Sequence, residues 1–352
     1  MRTKLFRVDA SNPDQRVIAK AASVIRKGGI VIFPTETVYG IGADAYNRKA
    51  VERIYKIKSR PPDNPAMIHV SDMKMAMQVG KFPRKYIKTV ERLWPGPLAF
   101  VVNARKGLRR KEVSIRMPEH KVALALIKES GTPIAAPSAN ISKKPSSTTA
   151  GHALAYFDGK VDIVIDSGPS DKGIESTILD LRSFAIQRPG SFPVEKITKA
   201  FGRKPKITGI ARGLTVARHA VAPGMKYKHY APATPLFLYT GKADLLARIL
   251  GNVSGFAFIG SKETCDVIKG RGRIMMTLGS REDIDGIARN LFDALIRLDL
   301  TKVRFAIAES FPESGIGLGL MNRLRKASSH KYFSSKAGFY RLYKSINNGK
   351  DN

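Results

Sequence analysis

Apolar residues recur at Val17, Ile18, Ala21, Val24 and Ile25, a spacing that places them on one side of a helix and predicts an amphipathic helix over Gln15 to Lys27. Asn12 and Pro13 stand in front as cap and first-turn residues, and Gly28-Gly29 ends the pattern. Ile30 to Phe33 is then a short apolar run of strand length. Helical spacing returns near Ala50 to Ile57, Tyr86 to Trp94 and Val122 to Lys128. It alternates with apolar runs at Ala66 to Val70, Leu98 to Val102, Ile134 to Ala136 and Val161 to Ile165. Such alternation predicts an α/β layer fold. Ser176 to Leu181 and Phe184 to Arg188 are close enough to form a hairpin, which adds antiparallel pairing.

Between about Phe201 and Thr234 the apolar periodicity fades and Gly, Pro and basic residues take over, the composition of an interdomain linker. Beyond it, Leu236 to Tyr239, Phe256 to Ile259 and Val303 to Ala308 read as strands. The segment Asp283 to Leu298 carries Ile284, Ile287, Ala288, Leu291, Phe292, Leu295 and Ile296 on one helical face. A second, smaller α/β domain is expected, with a frayed polar end from Asn347 to Asn352. The length of 352 residues agrees with two cores.

Composition narrows the function classes. Hydrophobic residues make up 43% and charged residues 26%, as in a soluble globular protein. Lys and Arg number 61 against 29 Asp and Glu, a formal +32 that attracts polyanions such as nucleotides and RNA without naming one. The one cysteine, Cys265, excludes an internal disulfide and a cysteine-rich zinc site. The six histidines form no His-Glu-x-x-His string, so no metal is expected in a protein-built site. Met1 to Ala10 precedes no apolar block of signal-peptide length, and no run reaches the roughly 18 apolar residues of a membrane span. The expected location is the cytoplasm, with no membrane partner.

Candidate chemistry sits where strands are expected to end. Pro34-Thr35-Glu36-Thr37-Val38-Tyr39-Gly40-Ile41-Gly42 offers hydroxyls for bonding a ligand and glycines that let backbone approach it. Lys58-Ser59-Arg60-Pro61 follows a helix, and a point charge two residues from a guanidinium fork suits phosphate oxygens. Ser114-Ile115-Arg116-Met117-Pro118 brings an arginine suited to a carboxylate. Ala136-Pro137-Ser138-Ala139-Asn140, Glu175-Ser176-Thr177 and Arg188-Pro189-Gly190 complete the set. Each string alone also reads as a polar turn or a helix end.

Together, in this order, these strings resemble the threonylcarbamoyl-AMP synthases in their long two-domain form. The resemblance extends to Gly173-Ile174-Glu175-Ser176-Thr177, to Met321-Asn322-Arg323-Leu324 and, most specifically, to the linker string Pro223 to Pro232. It implies a YrdC-like twisted α/β catalytic domain with a concave basic face over 1–205. A linker over 206–233 would fold across the active site, and a small Rossmann-like domain would occupy 234–346. By carry-over, Thr35, His69, Arg116, Ser138 and Ser176 form the threonine pocket. Lys58, Ser114, Asn140, Ser146, Arg188 and His229 form the ATP side, with Lys58 and Arg60 as the catalytic cations. Ser59 stands where the family has a glycine, and Lys143-Lys144 replaces a smaller glycine-containing turn.

The implied reaction joins L-threonine, bicarbonate and ATP, with Mg2+ carried by ATP, as the first step of tRNA threonylcarbamoyladenosine modification. Its product would pass to a downstream threonylcarbamoyl transferase complex, and weak tRNA or RNA binding accords with the charge. A non-catalytic RNA-binding protein is the main alternative, though no aromatic-studded RNA motif is present. Carbamoyl transfer in hydrogenase maturation is disfavoured by the single cysteine. A Rossmann oxidoreductase is disfavoured because no Gly-x-Gly-x-x-Gly follows the first strand.

Overall fold

The run Ile30 to Phe33 is apolar at every position because both of its faces are covered. In the computed structural model, which describes residues 2–105, 107–108, 110–215 and 230–348, Val31–Phe33 is a buried strand. Val31 and Phe33 pack with Ile18, Ile25, Val122 and Leu126, while Ile30 and Ile32 pack with Ile41, Ile54 and Phe157. Alternate side chains of one strand thus feed two cores, one under the helices Gln15–Arg26 and Lys121–Ser130 and one under Arg48–Ile57 and Ala150–Phe157.

The first helix has a different cap from the one its sequence suggests. Asp14 takes that position, its carboxylate accepting from the Arg16 N–H at 2.8 Å, because an ionised side chain two residues nearer the helix than Asn12 satisfies the orphan donor. The helix expected from Tyr86 starts at Ile87, after a 3-10 turn over Arg84–Tyr86.

The chain divides into two compact units: Met1–Ser142 with Ser146–Tyr227, and Lys143–Pro145 with Lys228–Asn352. The first is built on a mixed twelve-stranded sheet. Four junctions in it matter for function. Val31–Phe33 runs antiparallel to Gly40–Asp44, so residues 34–39 form the loop between them. Ile68–His69 lies parallel to Glu112–Arg116 with His69 abreast of Arg116, and antiparallel to Ile134–Ala135, from which the Ser138 loop departs. Leu98–Ala104 joins Glu112–Arg116 to Thr177–Asp180. Thr177–Asp180 makes the expected antiparallel pair with Ala185–Arg188. Ordered structure continues into the segment expected as linker: Lys206–Ile207 pairs with Ala185 and Ile186, and Gly209–Arg212 is a short helix. Residues 216–229 lie outside the described residues.

The second unit is a five-stranded sheet in which every pairing is parallel. Its order is Arg273–Thr277, Phe256–Gly260, Phe305–Glu309, Leu236–Tyr239, Tyr332–Phe333, a Rossmann-like α/β arrangement. Ile284–Leu298 is the long helix anticipated there, capped by Asp283. Among the described residues no helix is long and apolar enough to cross a membrane.

One glycine fixes the approach of two functional loops. A methyl group on Gly190 would fall inside the backbone of Glu175 and Ser176. Gly190→Ala is therefore expected to cost about 1–3 kcal/mol of stability, as overpacking does. Thermal unfolding checks this, and an unchanged midpoint would contradict the close approach.

Candidate active site

The loop after the first strand folds on its own hydroxyls. Thr35 Oγ1 donates to the Val38 carbonyl at 2.6 Å, lies 2.9 Å from Thr37 Oγ1 and accepts from the Thr37 and Val38 N–H groups at 3.2 and 3.3 Å. The loop runs into the strand at Gly40, which lines the cavity beside it, whereas Gly42, two residues into the strand, does not. A Cβ at Gly42 would stand 2.7 Å from both Phe33 and Ile134, so this glycine is a packing requirement.

Opposite the loop, Arg116 is 3% exposed and holds three partners. Its Nε donates to the Gly96 carbonyl at 3.2 Å, Nη1 to Thr37 Oγ1 at 2.9 Å, and Nη2 to the equally buried Glu36 carboxylate. A guanidinium has five N–H donors, so these bonds leave two. The second oxygen of Glu36 is buried and makes no hydrogen bond among the described residues. Glu36 is a residue that sequence reasoning passed over; it lies eighty positions from its partner, and no local pattern links the two.

Lys58 caps the helix Arg48–Ile57 and turns inward, 1% exposed. Its ammonium donates to the Ser138 carbonyl at 2.5 Å and to the Asn140 carbonyl, and lies 5.8 Å over the Phe157 ring. Burial, and then the charge of Arg60, push its pKa well below the usual lysine value. Arg60 donates to the Asn64 carbonyl at 2.8 Å, Asn64 Oδ1 at 2.9 Å and the Pro65 carbonyl at 2.7 Å. Between the two cations, Ser59 has φ +49°, and Lys143 has φ +77°. Both lie in the left-handed region, which explains why glycine suits each position.

On the far wall, Arg188 donates to the Ser176 carbonyl at 2.9 Å and to Ser176 Oγ at 3.3 Å. Ser138 Oγ donates to Asn140 Oδ1 at 2.6 Å, and Ser146 Oγ to Glu175 Oε1 at 2.6 Å. Neighbouring Ser147 turns the other way, to the Ala139 carbonyl.

Thr35, Arg60, His69, Arg116, Ser138, Ser176 and Arg188 line one cavity, together with Glu175, Tyr39 and Met67. Asn140 and Ser146 reach it through the hydrogen bonds to Ser138 and Glu175. Lys58 stands behind the Ser138–Asn140 loop and does not itself line the cavity. Ser114 is two residues before Arg116 in its strand, its hydroxyl buried and without a hydrogen bond among the described residues. His229 lies outside the described residues.

His69 is 4% exposed, and its ring meets Phe33 edge-on at 6.2 Å. Burial, reinforced by the Arg116 charge, lowers its pKa to about 3, so the imidazole is neutral throughout the physiological range. The cavity, of about 60 Å³, is thus lined by hydroxyls and walled by cations, with a neutral imidazole among them. No serine or cysteine nucleophile with an adjacent base is found among its lining residues.

A sheet-end cavity lined by Arg60, Arg116 and Arg188, in a two-unit α/β chain whose second sheet is parallel, is the architecture to which comparison gives a family. Residues 23–190 match the Sua5, YciO and YrdC family model, described as telomere recombination, and residues 193–329 match the threonylcarbamoyl-AMP synthase C-terminal domain. The threonylcarbamoyl-AMP synthase of Bacillus subtilis is 38% identical over 93% of this chain and 98% of its own length. That of Pyrococcus abyssi is 40% identical over 88% and 94%. The crystal structure of P. abyssi Sua5 complexed with L-threonine superposes with a TM-score of 0.87 at 38% identity, covering 94% of this chain and 99% of that one. The chain belongs to the threonylcarbamoyl-AMP synthase family.

Two outcomes follow from the geometry. Lys58→Met removes the ammonium donor from the Ser138 and Asn140 carbonyls, leaving the former the Asn140 N–H at 3.0 Å, a loss of about 1–3 kcal/mol by denaturant unfolding; a variant as stable as the parent would show that the clamp carries nothing. His69 binds a proton near pH 6.5 only when unfolded, so its contribution to stability falls as pH drops from 6.5 towards 3, by at most about 1.4 kcal/mol per unit. His69→Asn should flatten the acid limb of a stability-against-pH curve over that window, and identical slopes would refute the assignment.

Proposed function

We propose that the protein forms threonylcarbamoyl-AMP from L-threonine, bicarbonate and ATP, releasing pyrophosphate, in the cytoplasm and for tRNA threonylcarbamoyladenosine modification. The observation that carries this reading is the convergence of Thr35, Arg60, His69, Arg116, Ser138, Ser176 and Arg188 on one cavity, in a chain related over nearly its full length to synthases of that name.

Threonine occupies the end near Arg116, where the two remaining guanidinium N–H groups meet its carboxylate and Thr35, Ser138 and Ser176 supply hydroxyls. Bicarbonate gives up CO2 and hydroxide, the neutral amine bonds the CO2 carbon and loses a proton that leaves with the hydroxide as water, and the carbamate oxygen attacks the α-phosphorus of ATP. The bond from that phosphorus to the pyrophosphate oxygen breaks. In-line transfer of this kind needs alignment and charge stabilisation more than a protein nucleophile. Arg60 and Arg188 face the phosphate side. Lys58 acts from behind the loop that carries Ser138 and Asn140, while Ser114, Ser146 and His229 complete the nucleotide contacts.

Mg2+ takes oxygen ligands, retains water and is usually held through substrate phosphates with one or two carboxylates. Glu175 and Ser146, hydrogen-bonded at 2.6 Å on the cavity side, offer that donor chemistry. Bound there, the ion would neutralise phosphate charge.

A carbamate is easily lost to water, so the site calls for a cover; the resemblance gives that role to the linker, of which only the part beyond the helix Gly209–Arg212 is left for it, and a downstream threonylcarbamoyl transferase complex takes the product.

The test is pyrophosphate release by the purified chain: it should require threonine, bicarbonate and ATP together, and release without threonine would contradict the reading. Specificity follows from the hydroxyl lining. Serine, lacking one methyl, should lose roughly 5- to 150-fold in kcat/KM, whereas valine, which leaves the polar lining unpaired, should lose far more. Valine turned over as well as serine would overturn the pocket assignment.

A further inference from the structure

Glu36 is a buried carboxylate with a single use. Its side chain is 3% exposed and does not line the substrate cavity. Among the described residues Oε2 is bonded only to Arg116 Nη2, and Oε1 to nothing. A buried ion pair is often no more stabilising than an apolar pair of the same volume, so stability gives no reason for this one. The use of the pair lies on the other side, because Arg116 does line the cavity.

Three acceptors surround the Arg116 guanidinium, and each is held by a bond of its own backbone. Glu36 and Thr37 are consecutive residues of the loop: the Glu36 carbonyl accepts from the Lys172 N–H at 2.8 Å, and the Thr37 N–H donates to Thr35 Oγ1 at 3.2 Å. Gly96, whose carbonyl receives Nε, donates its N–H to the Met117 carbonyl at 2.9 Å. Bonds to Nε, Nη1 and Nη2 together fix the plane of the group, and they leave one N–H on each Nη nitrogen. Such a pair is the fork that receives a carboxylate on two bonds. Of the three acceptors only Glu36 is charged. It offsets the burial of the guanidinium without presenting its own charge to the cavity.

We infer that Glu36 is a positioning residue that sets the cavity's selection for a substrate carboxylate: it holds the Arg116 fork in the plane in which an α-carboxylate is received. The inference rests on the reading of this end of the cavity as the amino-acid site. Removing the Glu36 charge, or drawing it back, lets the guanidinium turn. The loss then falls on the substrate carboxylate and spares the nucleotide.

Titration calorimetry of the full-length protein, saturated with α,β-methylene-ATP, tests this with L-threonine and with L-threonine amide, which lacks the carboxylate. The parent should prefer threonine by at least about thirtyfold. Glu36→Gln keeps the shape and removes the charge; it should cut that preference about tenfold through weaker binding of threonine, with binding of the amide unchanged. Glu36→Asp keeps the charge and shortens the reach, and should cut the preference at least about threefold. A parent-like preference in Glu36→Asp would mean that charge matters and placement does not, which overturns the positioning role. Affinity for the ATP analogue should be unchanged in both variants, which also reports that they are folded; if the first does not fold, the second carries the test. Equal weakening of threonine and its amide, or of neither, overturns the inference and leaves the reading of the cavity standing. A parent that does not distinguish the two ligands overturns that reading, and the inference with it.

Discussion

Buried positive charge satisfied by backbone carbonyl oxygen is the constraint on which the site rests. Lys58 sits on the carbonyls of Ser138 and Asn140, Arg188 on that of Ser176 and Arg116 on that of Gly96, while the half-buried Arg60 is held in the same way by those of Asn64 and Pro65. A buried cation without partners would cost several kcal/mol, and a buried loop carbonyl without a donor is costly too. Each loop at a strand end is therefore shaped by the cation it holds, and each cation is aimed by its loop. Arg116 has a buried carboxylate as well, that of Glu36.

Such an arrangement is organised before any substrate enters. Hydrogen-bond donors fixed in a low-dielectric wall stabilise developing phosphate charge without having to reorient, which is where most of the catalytic benefit of a polar site arises. The same wall accounts for His69. Beside Arg116 and out of water, an imidazolium would be disfavoured twice, so the ring is neutral, its Nδ1 buried without a hydrogen bond among the described residues.

The α/β class and most of its early elements are legible in the sequence because their signals are local. The helix Gln15–Arg26, the double-faced strand at Val31 and the pair ending at Arg188 follow from periodicity alone. What sequence hides is pairing across distance. Nothing near Glu36 announces Arg116, and nothing near Lys58 announces that carbonyls eighty residues on will take its charge. Gly42 reads in the sequence as a ligand-approach glycine, whereas the Phe33 ring and Ile134 demand it. The departures from the family pattern are intelligible only with φ angles, since Ser59 and Lys143 occupy left-handed backbone that glycine adopts without strain. His229 lies outside the described residues, and its assignment rests on resemblance.

If these fixed cations hold an amino acid and a nucleotide side by side, one product reports it directly. Mass spectrometry of the reaction of the purified protein with L-threonine, ATP and 13C-bicarbonate should reveal an adenylate containing both the threonine and the labelled carbon. An adenylate without the label, or none at all under conditions where the protein is folded, would contradict the account.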